Sequence, residues 1–391
     1  MKRLLFLLLL LILATPVYSL RKPHFGGNLR VADTLINRIN NESMFSVENE
    51  TIKPLVPVPA EIDDKQIQLD FSGVNPEWFV ELEKAVADIQ DENNSCHWIL
   101  DYPYFDHRHP TKIKMEAGTL IVESEELDYL HAILTSRCLP PGQVELFQPF
   151  RKTQFGYEAN TNCIYGRPFL DSITPSPIDP ANPYLSFKLN DVDVLPVPEE
   201  RFQQIQSDSE LNVIDGPSFF VYLTTSNLKA EDVARLTSGT RIAEIAKVVL
   251  NDHAEILLSQ PASSGIPASK TNVEFKVSQE DPYRLLGERL ILEWQELGFT
   301  QGNGTAAKIE VNAQEVIERD QDLFRYNILR TQFHVTGSKP WFEVWDEMES
   351  SGKIVPLLLH KTRIALRKNV VNSRSNGNFD FANAWIIPEQ Q

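Results

Sequence analysis

Two histidines between charged residues are the clearest candidates for metal chemistry in this sequence. Residues 106–109 read Asp-His-Arg-His, and in an extended strand the side chains of His107 and His109 would share one face. With a carboxylate from elsewhere, two imidazoles could hold a transition metal. However, spacing fixes no third ligand, and Pro103 and Pro110 bracket the segment. We therefore interpret it as a polar loop and predict no metal and no cofactor.

Two segments fit the nucleophile pattern Ser-x-x-Lys of penicillin-interacting enzymes, at 226–229 and 350–353. A four-residue pattern with two fixed positions arises readily by chance. Neither segment is accompanied by Ser-Asp-Asn or Lys-Thr-Gly, which that chemistry requires. Residues 336–339 (Thr-Gly-Ser-Lys) lack the upstream glycine of a phosphate-binding loop. The sequence therefore predicts no catalytic residue, and an exported hydrolase remains the weakest alternative.

The first residues have the pattern of a secretory signal. Lys2 and Arg3 precede an apolar run over 4–13, and small residues at Val17 and Ser19 suit cleavage after Ser19. The apolar run is too short to span a membrane, and no cysteine near the cleavage position provides a lipid anchor. We expect a soluble periplasmic protein.

Charge and cysteine content agree with export. Cleavage would remove two basic residues and no acidic one, taking the formal net charge from −17 to −19. Such a surface repels nucleic acid phosphates, so nucleic acid is not an expected partner. Cys96, Cys138 and Cys163 match no zinc-binding spacing. An exported chain can hold one disulfide among them, and an odd count leaves at least one thiol outside it.

Hydrophobic periodicity predicts helices alternating with strands, which favours α/β lobes. The length of 391 residues suits two such lobes. A proline-rich middle from Pro140 to Pro198 predicts mostly loop. The predicted helices are 76–90, 124–135, 240–258 and 282–297, and the predicted strands are 26–32, 97–100, 118–123, 218–224, 272–278, 307–312 and 354–359.

Several segments, in the right order, resemble the family 5 extracytoplasmic solute-binding proteins, the peptide/nickel-binding class of ABC importers. The most specific is 162–173, Asn-Cys-Ile-Tyr-Gly-Arg-Pro-Phe-Leu-Asp-Ser-Ile, which is similar to the family's Asn-x-x-Tyr…Gly-Arg-Pro-Tyr-Leu-Asp-x-Ile segment. The other matching segments are 26–31, 189–194, 222–227, 242–258 and 353–357. This chain is shorter than most members and lacks the expected extra length after residue 45.

The resemblance implies a two-lobed periplasmic-binding-protein fold of class II type, with mixed sheets and a hinge of two crossing segments. Lobe I would comprise 20–192 plus 355–391, and lobe II would comprise 193–354. The ligand would lie between the lobes, and closure would present the complex to the permease of an ABC importer. Such carriers usually act as monomers and are not enzymes.

Ligand contacts are expected where the resemblance places the cleft. Peptide binders of the family carry an aspartate for the ligand's amino terminus, but residues 333–342 contain no acidic side chain. Anchoring of an α-amine is therefore not expected, and the ligand class stays open between peptide-like and other small solutes. The candidate contacts are Tyr222, Thr224, Phe333, His334, Trp341 and Arg363.

A second class of function remains open from the sequence. The shortened chain and the missing aspartate also fit a degenerate homologue that contacts another protein. An open cleft between the lobes would favour ligand capture, and a filled cleft would favour the interaction protein.

Overall fold

A computed structural model of the chain describes most residues beyond position 24. The predicted signal peptide, the histidines of 106–109 and part of the proline-rich middle lie outside the described residues. The described residues are 25–38, 45–48, 51–54, 56–106, 110–136, 138–139, 145–179, 182–251, 253–258, 270–302, 307–316, 321–371, 374–375, 379–381 and 384–387.

The α-helices begin and end where the sequence offers start and stop signals. The first begins at Pro76, whose fixed φ and missing N–H suit the first helical position. The helix Tyr283–Glu296 is followed by Gly298, whose left-handed φ of +91° ends the helix. The helices are α1 Pro76–Ile89, α2 Trp98–Asp101, α3 Leu127–Thr135, α4 Pro183–Lys188, α5 Phe202–Gln206, α6 Ala230–Gly239, α7 Ile242–Val249, α8 Tyr283–Glu296, α9 Gln321–Thr331 and α10 Trp341–Ser350.

The strands are mostly short, and two of them are long. These two, β12 and β17, run over 16 and 14 residues. The strands are β1 Asn28–Ala32, β2 Phe45–Glu48, β3 Thr51–Pro54, β4 Ala60–Ile62, β5 Gln66–Asp70, β6 Lys112–Glu116, β7 Thr119–Glu123, β8 Phe150–Lys152, β9 Tyr157–Ala159, β10 Ser172–Ser176, β11 Val194–Pro196, β12 Leu211–Ser226, β13 Ala254–Ile256, β14 Thr271–Val277, β15 Phe299–Gln301, β16 Lys308–Val316, β17 Ile354–Arg367, β18 Val370–Val371, β19 Arg374–Ser375, β20 Phe379–Asp380 and β21 Trp385–Ile386.

A mixed sheet of 11 strands runs through the molecule in the order β15-β14-β16-β12-β17-β11-β1-β10-β9-β8, with β13 paired to β17. β12 and β17 are antiparallel neighbours at its centre. A separate four-stranded sheet, β4-β5-β7-β6, belongs to the unit formed by residues 56–147. Parallel pairs (β1 with β10) and antiparallel pairs (β12 with β16) occur in the same sheet, as expected for lobes with mixed sheets.

Three clusters of buried side chains form the interior. The first core gathers β1, β10, β11, α4 and α5 around Leu29 and Val194. The second core packs α6, α7 and α8 against β12, β14 and β16, with Trp294 fully buried. The third core joins the 56–147 unit to α9 and α10, and Phe71 and Tyr326 lie within it.

β12 separates the second core from the third. Because side chains alternate along a strand, Val221 and Leu223 point into the second core, while Phe220 and Tyr222 point into the third. The C-terminal half of β17 contributes Ile364 to the first core. β12 and β17 therefore connect the cores as the two crossing segments. The predicted lobe boundaries at 192/193 and 354/355 stay a proposal.

Two predicted elements are wrong. The helix expected over 240–258 ends at Val249, because Asn251 adopts a φ of +50° and the chain turns into β13. The apolar run expected as a strand at 97–100 is the short helix α2. Among the described residues, no helix is long and apolar enough to cross a membrane.

Candidate functional site

The contact between the 56–147 unit and the helices α9 and α10 is dominated by aromatic rings. We call this contact the seam, formed by residues 98–105 on one side and 326–345 on the other. The Tyr326 ring stacks on Phe105 with centroids 4.9 Å apart and meets Tyr102 edge to face at 5.1 Å. Trp98 lies 5.6 Å from the same ring. Tyr326 is therefore the centre of the seam, and only 1 % of it is exposed.

Hydrogen bonds across the seam reach the main chain of residues 102–105, which we call the strap. The Trp341 N–H donates to the Pro103 carbonyl at 2.9 Å, and the Tyr326 hydroxyl donates to the Tyr104 carbonyl at 3.0 Å. The Phe105 N–H donates to the Gly337 carbonyl at 3.3 Å in an isolated antiparallel bridge. Three consecutive strap residues thus bond to residues 326–341 through backbone groups, while the strap itself is a turn closed by the Tyr104 N–H and the Asp101 carbonyl at 2.7 Å.

A side-chain bond completes the contact. The Trp341 indole N–H donates to the Tyr102 hydroxyl oxygen at 3.2 Å. Each hydrogen bond of this kind contributes about 1 kcal/mol net, and each aromatic pair adds about 1 kcal/mol beyond area burial. The seam is consequently held by several kcal/mol.

Burial keeps the phenols of the seam uncharged. Desolvation raises the pKa of Tyr326; Arg330 opposes the rise and Asp101 adds to it. Desolvation also raises the pKa of Tyr222. Both hydroxyls are therefore available as hydrogen-bond donors over the whole physiological pH range.

Tyr222 and Thr224 lie on one face of β12, as the alternation of that strand predicts. The Tyr222 hydroxyl donates to the Gln332 side chain at the C-terminal end of α9, and its ring is fully buried. Thr224 is half-buried and accepts from the Asn312 amide at 3.2 Å. Its hydroxyl lies 3.5 Å from Glu310, which pairs with Lys276. Beyond the aromatic part of the seam, this sheet face is therefore polar.

The predicted contacts from 333–342 lie at the edge of the seam. Phe333 is half-buried against the third core, and Trp341 is 7 % exposed within it. His334 is exposed and adopts a left-handed φ of +48°. The structure thus brings Tyr222, Phe333 and Trp341 into one cluster and leaves the imidazole of His334 facing solvent.

Arg363 does not join this group. Its guanidinium lies 3.6 Å from the centre of the Phe202 ring, next to the first core. Desolvation lowers the pKa of Arg363, against the attraction of Glu199 and Asp215. Its Nη1 has no hydrogen-bond partner among the described residues. The role of all six predicted ligand contacts stays a prediction.

The disulfide left open by the sequence forms between Cys96 and Cys138, with Cα atoms 5.4 Å apart. It ties the chain two residues before α2 to the chain three residues after α3, close to the seam. Cys163 is buried and takes no part in it. Within the described ranges, no group of three or more His, Cys, Asp or Glu side chains is placed to hold a metal.

Sequence reasoning missed the strap. The run Tyr-Pro-Tyr-Phe at 102–105 is a visible aromatic signal, but its partners lie more than 220 residues further along the chain. Periodicity carries no information about such pairing.

Known proteins show the same architecture at low identity. No protein-family model and no curated protein matches the chain. Among solved structures, the ABC transporter substrate-binding protein CtaP of Listeria monocytogenes aligns with a TM-score of 0.63 and 14 % identity, over 93 % of this chain and 99 % of that chain. The chain has the two-lobed fold of these substrate-binding proteins. The expected fold class is thereby confirmed.

Two further structures illustrate the ligands found on this fold. The periplasmic binding protein DppA of Helicobacter pylori, in complex with the peptide STSA, has a TM-score of 0.61 and 12 % identity, over 93 % of this chain and 99 % of that chain. NikZ of Campylobacter jejuni, in complex with Ni(L-His), has a TM-score of 0.60 and 11 % identity, over 93 % and 97 %. At these identities the similarity establishes the fold alone.

Proposed function

We propose that this protein is an extracytoplasmic solute-binding protein that captures a peptide-like or other small solute for an ABC importer. The observation that carries the proposal is the alignment of nearly the whole chain with substrate-binding proteins. The alignment includes both lobes, so the architecture needed to enclose a solute is retained. Hinge closure around a ligand is the usual motion of this architecture.

The geometry of the seam supports this function. Tyr222 and Trp341 are buried in the closed seam, and opening of the lobes would expose them beside the half-buried Phe333 as an apolar wall. Thr224 and its neighbours offer hydrogen-bonding groups on the same side of β12. Ligand sites combine these features, an apolar wall with a few placed polar groups. His334 would contact the solute at the rim, whereas Arg363 packs on Phe202 away from this group and is the weakest of the six candidate contacts.

Export and partners follow from the same proposal. The N-terminal segment would direct the chain to the periplasm and be cleaved near Ser19, and the protein would act as a soluble monomer without enzymatic activity. Its macromolecular partner would be the permease of the importer. The Cys96–Cys138 disulfide supports this location, because disulfides persist in oxidising compartments.

A second candidate function is an interaction module derived from a solute-binding protein. The observation that favours it is the closed seam. The rings of Tyr102 and Phe105 already pack on Tyr326, and the Tyr102 hydroxyl already accepts a hydrogen bond from the Trp341 indole. In this case the lobes would not open, and the outer surface would contact another protein.

The test is native mass spectrometry of protein purified from the exported fraction without refolding. We expect denaturation to release a discrete solute mass. Absence of a released mass, together with no thermal stabilisation by a broad panel of solutes, would favour the interaction module.

A matched pair of variants then locates the site. Trp341→Ala should lose the solute, while Phe342→Ala, next to it on α10 and 41 % exposed, should keep it. Equal retention by both variants would show that the solute binds elsewhere.

A further inference from the structure

We propose that a cavity beside the C-terminal end of α10 is a second ligand site, which takes a small aliphatic molecule that carries a protonated amine. The cavity lies between α6, residues 257–258 and the turn from α10 into β17, and its volume is about 490 Å³. None of its described lining residues belongs to the seam or to the six candidate solute contacts. The site is therefore distinct from the solute site and does not rest on the proposed function.

The walls of this cavity are mainly apolar. Val233 and Ala234 line it from α6. Leu257 and Leu258 line it from the segment after β13, and Pro356 lines it from β17. Leu257 is 37 % exposed, so an apolar body seated here would remove hydrocarbon surface from water. The volume lies within the range of about 300–1,000 Å³ that small-molecule sites occupy, so size and lining suit the hydrocarbon part of a small molecule.

The turn from α10 into β17 is fixed against α6, so the cavity is preformed. Gly352 has a left-handed φ of +69°, and a Cβ at this position would overlap the Val233 Cγ1 atom. The Thr225 hydroxyl donates to the Gly352 carbonyl at 2.7 Å, and the Thr225 N–H donates to the Lys353 carbonyl at 3.0 Å. A preformed site spares its ligand the free-energy cost of ordering the turn.

The hydroxyl groups of the cavity are arranged as hydrogen-bond acceptors. The hydroxyls of Ser350 and Ser351 donate to carbonyls of the preceding turn of α10, at 3.2 and 3.1 Å. The Thr237 hydroxyl donates to the Val233 carbonyl at 3.0 Å. Because a hydroxyl has one hydrogen to donate, these oxygens are left to accept from a ligand. A ligand with N–H donors, such as an ammonium, matches this arrangement.

Glu349 gives the cavity its charge. It is the one charged side chain among the described lining residues, and the Trp345 indole N–H donates to its carboxylate at 2.9 Å. The nearby Glu347 pairs with Lys339, whereas Glu349 has no ion pair within the described part of the chain. The helix dipole opposes a carboxylate at the C-terminal end of a helix. An ammonium bound beside Glu349 would remove this conflict, and local conflicts of this kind are typical of functional sites.

The experiment compares three probes that share an aliphatic chain and differ in the charge of the head group. The probes are n-hexylamine, hexanoate and 1-hexanol, each titrated calorimetrically into the mature protein at neutral pH. Glu349→Gln removes the charge and keeps an acceptor for Trp345. Glu347→Gln is the matched control, because it removes the same charge from the same turn of α10 and does not line the cavity. Ala234→Leu fills the cavity from the exposed face of α6.

We expect hexylamine to bind the wild type and Glu347→Gln equally, and to bind Glu349→Gln at least roughly fivefold more weakly. Ala234→Leu should show no binding. Hexanoate and 1-hexanol should bind the wild type more weakly than hexylamine does. Circular dichroism should show that all three variants are folded.

The proposal is overturned if the wild type does not bind hexylamine, or if the three probes bind equally. An equal loss in Glu347→Gln and Glu349→Gln would also overturn it, because that result indicates attraction to the acidic surface in general. Equal affinity in the wild type and in folded Ala234→Leu would place the amine outside the cavity. None of these measurements uses the solute released in native mass spectrometry, so failure here leaves the proposed function standing.

Discussion

Removal of the Cys96–Cys138 disulfide should destabilise the unit formed by residues 56–147. The bond closes a loop with a sequence separation of 42 residues. For a loop of that length, the chain-entropy estimate gives about 4 kcal/mol of stabilisation at 25 °C, through restriction of the unfolded chain. The double variant Cys96→Ser/Cys138→Ser should lose most of this free energy of unfolding.

Urea unfolding followed by tryptophan fluorescence and circular dichroism measures the loss. With a slope of about 2–3 kcal/mol per M urea, the midpoint should fall by about 1–2 M. A thiol reductant should lower the wild-type midpoint to that of the double variant, and should leave the double variant unchanged. Identical midpoints for the oxidised wild type and the double variant would refute the argument.

Three further predictions concern particular side chains. Trp294→Ala should lower the free energy of unfolding by about 3–5 kcal/mol in urea titrations, because the ring is fully buried in the second core. Gly287→Ala should cost about 1–3 kcal/mol in the same assay, since a Cβ there would lie 2.6 Å from the Val277 Cγ1 atom; an unchanged midpoint would show that Val277 moves aside. For Asp208, burial opposes ionisation, but the hydrogen bonds from Lys188 and Tyr184 outweigh it and hold the pKa at about 2. Because this pKa lies below the unfolded value, the stabilisation is present above about pH 4 and is lost as the pH falls towards 2. Asp208→Asn should therefore flatten the stability profile over that interval, and an unchanged profile would contradict the assignment.

The elements that sequence patterns predicted best are those stabilised locally. The helix predicted over 76–90 is found at Pro76–Ile89, because its capping residues and apolar spacing are encoded within the segment. The helix predicted over 240–258 failed at Asn251, where a single left-handed residue redirects the chain. Ile256 then pairs with β17, and that pairing is decided by a strand 100 residues away.

The candidate site follows the same rule. The placement of Tyr222 and Thr224 on one face of β12 could be predicted from the sequence, because successive side chains along a strand point to opposite faces. The contact of Tyr326 with the strap could not be predicted from the sequence, because no local pattern relates residues 104 and 326. Contacts of this kind between distant segments require the packed structure to be known.

The pairing of β12 with β17 has a mechanical consequence. The two lobes are joined by a hydrogen-bonded ribbon, so any rotation of one lobe relative to the other must twist that ribbon elastically. The ladder is interrupted between Asp215 and Ser218, and its register shifts again between Val221 and Tyr222. We expect twisting to concentrate at these two irregular steps, where fewer ladder hydrogen bonds resist it.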